Sequence, residues 1–198
     1  MRVEVATDLT RSAEAFAFSV WPVIGPMLGG GQLVSVESVA AIDFAKQLDV
    51  LAGIDAWQIQ SNARLRGLAS RVQWVTGNPY NTFTIRKSRT SGATTEYEKR
   101  LKAINNPRAG WLFPALTVQA YIATGTDRLL SAAGISTCDL FNFIANGTPQ
   151  DHYTIRTNSQ DGNEFIVVDW ATLRRFDVKV VVAAETTMRI DLPEKNPK

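Results

Sequence analysis

The chain has 198 residues, 45% of them apolar and 20% charged, and carries a formal net charge of +2. That is the composition of an ordinary soluble globular protein, long enough to bury a substantial core as one domain, and too weakly basic in total to prove a nucleic-acid partner. A single cysteine, Cys138, excludes an intrachain disulfide, and a single histidine, His152, excludes a multi-histidine metal centre.

Asp8 or Thr10 can cap a helix that begins at Arg11 and Ser12, along which Ala13, Phe16, Ala17, Val20 and Trp21 recur at helical spacing. Pro22 should kink or end it, and Gly29-Gly30-Gly31 should stop it. The apolar run from Phe16 to Leu28 is broken by Ser19, Pro22, Gly25 and Pro26, so it does not read as a membrane span. No basic-then-apolar leader is seen at the N-terminus, and a cytoplasmic protein is the expectation. Gln32 to Val39 alternates as a strand carrying Glu37, and Ile42 to Gln47 suits a helical turn. Leu48 to Gln60, bent at Ala52-Gly53, brings Asp49 and Asp55 into a strand. A short polar link, Ser61-Asn62-Ala63, joins it to an antiparallel partner from Leu65 to Thr76.

Gly77-Asn78-Pro79 turns the chain into a strand from Thr82 to Lys87. Thr95 caps a helix running to Ile104, with Tyr97, Leu101 and Ile104 on one stripe and Asn105-Asn106-Pro107 as its stop. Leu116 to Ala123 reads as a fully buried strand, and Asp127 to Ala133 as a short helix. Thr137 or Asp139 caps a further helix around Leu140 to Ala145. Strands from Tyr153 to Thr157 and from Glu164 to Asp169 form a hairpin about Gln160-Asp161-Gly162-Asn163. A helical turn, Ala171 to Phe176, and a β-branched strand, Val178 to Ala184, follow. The predicted class is α+β, with a central mixed β-sheet flanked by helices, as one domain over 1–190 with a mobile polar tail at 191–198.

An acid opening one strand of a hairpin, with a polar acceptor on its neighbour, is an arrangement by which a sheet holds a divalent cation. Phosphodiester hydrolysis asks for such a cation, a water it can deprotonate, and a positive side chain against the charge that develops on phosphorus. Asp55, with Asp49 or Glu37, could hold Mg²⁺ or Mn²⁺; Gln73 could orient the metal or its water; Arg86 could stabilise the phosphate. The middle of the chain is also basic. Arg64, Arg66, Arg71, Lys87, Arg89, Lys99 and Arg100 are candidate contacts to DNA phosphates, with Lys102 nearby. Trp57, Trp74 and Tyr80 either stack on bases or pack in the core.

Gly53-Ile54-Asp55, then Arg71-Val72-Gln73, then Phe83-Thr84-Ile85-Arg86 resembles the PD-(D/E)XK restriction-endonuclease-like superfamily, nearest to its Holliday-junction-resolvase-like and prophage-type members. The resemblance spans roughly Glu14 to Arg86. It implies a helix, three antiparallel strands, a further helix and a further strand, in a nuclease-like core of about 8–125 with an extension at about 126–190. It also implies that Asp55 is the metal-binding aspartate, that Gln73 stands at the acid position of the second motif, and that Glu14 matches a helix-one acid. The motif lysine should lie two residues after Gln73, where this chain has Val75. Its role passes to Arg86, Lys87 or Arg71, or is lost, and arginine clamps phosphate without readily serving as a base. The expected activity is that of a metal-dependent deoxyribonuclease. The alternative is a protein without catalysis that binds nucleic acid or joins an assembly, with Trp111, Phe113, Tyr121, Phe141 and Phe143 available to a protein partner or a second copy.

Overall fold

The computed structural model describes residues 10–36 and 51–184. Residues 10–24 wind as one helical segment, α1, in which a π turn, Phe16–Val20, is followed by an α turn, Trp21–Ile24. Pro22 does not end this helix. The Trp21 amide reaches back to Phe16 O, and Pro22, which has no amide hydrogen to offer, falls in the first turn of the resumed helix, where none is needed.

Among the described residues, six strands form the main sheet in the order β1 (Gln32–Ser35), β2 (Ala56–Ile59), β3 (Leu65–Val75), β5 (Leu116–Ala123), β6 (Leu129–Ser136), β9 (Val180–Ala184). All pairs are antiparallel except β3 with β5, whose register sets Arg71 beside Gln119 and Gln73 beside Tyr121. The parallel pair requires a crossover, and the chain between its strands supplies β4 (Thr82–Arg86) and α2 (Glu96–Asn105). A second, antiparallel sheet has the order β4, β8 (Glu164–Asp169), β7 (Thr154–Thr157). Helices α3 (Thr137–Asn146) and α4 (Trp170–Arg175) complete the α+β fold. Among the described residues, no helix is long and apolar enough to cross a membrane.

Strand alternation divides the core. Leu68, Val118, Ala120, Ile122 and Ala132 face α1 and meet Phe16, Val20 and Ile24. The opposite face presents Val75, Tyr121, Ala133 and Ile135 to Phe83 and Ile85 of β4, Ile166 and Val168 of β8, and the apolar sides of α3 and α4. Tyr121 ties the two sheets together. Its hydroxyl lies 2.9 Å from Thr82 Oγ1 and donates to Thr82 O at 3.0 Å.

Two sequence expectations change here. The segment Asp127 to Ala133 is not a helix; Leu129–Ser136 is strand β6, inside the sheet. Its alanines and leucines favour helix locally, but burial on both faces asks for small residues, and a Cβ on Gly134 would lie 2.9 Å from both Leu28 methyls. The expected strand from Leu48 to Gln60 is confined to Ala56–Ile59 among the described residues. Glu37, Ile42 to Gln47, Asp49 and the tail at 191–198 lie outside the described residues.

Candidate nucleic-acid interface

On the second face of the main sheet, the packing of β4 and β8 covers Tyr121 and Val75, while the preceding residues of β3 and β5 line a cleft. It has a volume of about 530 Å³ and lies among β3, β5, β4 and α2. Asp55 enters from the approach to β2. Its amide donates to Leu68 O at 2.8 Å, and its Oδ2 accepts the Ser70 amide at 2.6 Å, so the carboxylate is clasped against β3 at the cleft wall. Gly53, two residues earlier, has φ +64°, and a Cβ there would lie 3.4 Å from Arg100 Nη2. Glycine therefore serves both the turn and the close passage of that guanidinium.

Among the described residues, five cationic side chains line the same cleft: Arg71 from β3, Arg86 and Arg89 from the end of β4 and the loop after it, and Lys99 and Arg100 from α2. Helix α2 presents the last two because its first turn is fixed by a capping box. Thr95 Oγ1 accepts the Glu98 amide at 3.3 Å, and Glu98 Oε2 accepts the Thr95 amide at 2.7 Å. Glu96 and Arg100, one turn apart on that helix, form an ion pair at 2.5 Å. Arg100 is only 3% exposed and its Nε has no hydrogen-bond partner among the described residues.

Arg71 and Arg86 lie against one aromatic ring. Their guanidinium carbons sit 5.4 and 5.5 Å from the Phe165 centroid, and Arg71 Nη1 donates to Thr84 O at 3.2 Å. Burial lowers the pKa of Arg71; Glu96 opposes that shift and the charge of Arg86 reinforces it. Arg86 Nε is buried without a hydrogen-bond partner among the described residues. At the cleft floor Gln119, 2% exposed, has an Nε2 that is likewise without a partner. Sequence reading passed over Gln119 as part of a buried strand. The available signal was a lone amide between Val118 and Ala120 in an otherwise apolar run.

The residues singled out from sequence separate into two groups. Asp55, Arg71, Arg86, Arg89, Lys99 and Arg100 are brought together. Gln73 does not line the cleft: it shares the face of Arg71, but it lies three residues past Ser70, about 10 Å along the strand, beside buried Tyr121. Arg64 and Arg66 sit at the β2–β3 connection, away from the cleft. Lys87 is bound to Glu164 at 3.2 Å outside it. Trp74 donates to Asp127 Oδ1 under the Arg11 guanidinium, and Trp57 packs beside Val36 and Ile54. Glu14 is exposed on α1, which covers the opposite face of the sheet.

A divalent cation would find Asp55 in this cleft, and Glu96, which is committed to Arg100. Among the described residues no group of three or more His, Cys, Asp or Glu is placed to hold a metal. The described residues thus offer Mg²⁺ or Mn²⁺ one or two carboxylates to be completed by waters, not a dedicated cage of acids. The site as described is instead rich in donors and positive charge around one clasped carboxylate. Comparison with protein-family models gives no match, and a search of curated proteins finds no significant relative.

Proposed function

We propose that the cleft receives the sugar–phosphate backbone of DNA, on a scaffold that is a divergent relative of the PD-(D/E)XK nucleases. The observation that carries this is the convergence, among the described residues, of five cations with donors that have no partner there, Arg86 Nε, Arg100 Nε and Gln119 Nε2. Buried donors cost free energy until an acceptor reaches them, and guanidiniums gathered on one ring repel each other until an anion arrives. Phosphate oxygens satisfy both needs. The order of elements supports the family reading: α1, three antiparallel strands, then α2 and a strand parallel to β3, with β4 diverted into the second sheet. A cytoplasmic setting would give such a protein access to DNA.

A second reading, metal-dependent phosphodiester hydrolysis, is favoured by the clasped Asp55 carboxylate at the wall of the same cleft. In it Asp55 would hold the metal, with Asp49 or Glu37 helping. The test is to incubate purified protein with supercoiled plasmid in Mg²⁺, in Mn²⁺ and in EDTA, beside Arg71→Ala and Asp55→Ala. Gel retardation in EDTA that weakens in Arg71→Ala is the expected result. Cutting that needs metal and disappears in Asp55→Ala would add the nuclease reading. No retardation under any condition would remove the DNA reading.

A further inference from the structure

The floor of the cleft differs from its rim, and the difference bears on which phosphate it takes. Resting on the DNA reading above, we infer that the floor binds a phosphate monoester, the terminal phosphate of a DNA strand end, rather than an internal diester. Depth is the first reason. Gln119 and Arg100 are 2% and 3% exposed, so a phosphate must enter the cleft, and these side chains must turn toward it, for Gln119 Nε2 and Arg100 Nε to donate. An internal phosphate is tethered to chain on both sides, whereas a terminal one is tethered on one side only. Charge is the second reason. Among the described lining residues, five cations against Asp55 and Glu96 leave a formal excess of three positive charges. An internal diester brings one negative charge, but a monoester brings about −1.5 to −2 near neutral pH, with three acceptor oxygens. The third reason is the donor geometry. Arg86, Arg100 and Gln119 belong to β4, α2 and β5, three separate elements that line the cleft, and a terminal phosphate has three free oxygens to share among their donors.

The experiment compares one single-stranded DNA sequence in four forms by equilibrium binding in EDTA: with a 5′-phosphate, with a 3′-phosphate, with hydroxyls at both ends, and closed into a circle. Inorganic phosphate serves as competitor. One of the phosphorylated linear forms is expected to bind at least about tenfold more tightly than the hydroxyl-ended and circular forms, the gain of one or two charge-assisted hydrogen bonds. Inorganic phosphate should erase that advantage without abolishing binding of the circle, and Gln119→Leu should shrink it. Equal affinity for all four forms would overturn the strand-end inference while leaving the DNA reading standing. Failure of every form to bind would overturn both. The comparison among the four DNAs uses the unaltered protein, so it decides the matter even if Gln119→Leu folds poorly.

Discussion

Arg71 holds its charge where burial disfavours it and where Arg86 adds repulsion, with Glu96 as partial relief. A charged side chain held where burial disfavours its charge, lining an open cleft, has the profile of a ligand-binding group. Arg71→Met, which keeps most of the volume, should therefore leave the thermal midpoint unchanged or raised while weakening DNA binding by about tenfold. Thermal unfolding and binding isotherms on the same preparation check both halves, and parallel losses in the two would mark Arg71 as merely structural. Tyr121 is the contrasting case, a buried hydroxyl that joins β5 to Thr82. Tyr121→Phe should cost about 1 kcal/mol in urea unfolding, since it strands the polar atoms of Thr82. Period-2 alternation made the shared face of Arg71 and Gln73 legible in the sequence. What alternation could not show was how far along that face the second sheet reaches. Cover begins at Tyr121, and so Arg71 is open to the cleft while Gln73 is not.

Helix α2 shows how an element delivers charge to a site. Its capping box fixes the first turn, and Lys99 and Arg100 follow within it or just beyond. Thr95→Ala should cost about 1 kcal/mol of stability and also weaken DNA binding, whereas Thr95→Ser should restore both. Hydrogen bonds from the Thr95 backbone and hydroxyl hold Glu98 below the ordinary carboxylate range. A depressed folded-state pKa stabilises above the unfolded value and ceases to do so as pH falls through the folded value. The stability gap between the native chain and Thr95→Ala should therefore narrow on acidification below about pH 4.3, the usual glutamate value. Unfolding curves across that range check it, and a gap that widens would refute the capping role. Thr95, Glu98 and the Asn105-Asn106-Pro107 stop are all local signals, so this helix could be read from sequence. Strand β6 could not. Its second pairing partner β9 and its neighbour Leu28 are distant in sequence, and small residues chosen for a crowded sheet interior imitate a helix former.

At the scale of the whole molecule, two sheets meet at an offset, and the strip they fail to cover gathers positive charge from β3, β4 and α2. The basic middle of the chain was visible in the sequence; its division into cleft and outer surface was not, because that depends on how much of the main sheet's face the second sheet covers. The most direct measurement is DNA affinity across a salt series for the native chain, for Arg86→Ala, for Lys99→Ala, and for the hairpin double variant Arg64→Ala/Arg66→Ala. A phosphate-binding cleft predicts that log affinity falls steeply with log salt, and that each cleft substitution reduces the slope by about one while the hairpin pair leaves it unchanged. Identical slopes in all four proteins, or a slope reduced only by the hairpin pair, would contradict it.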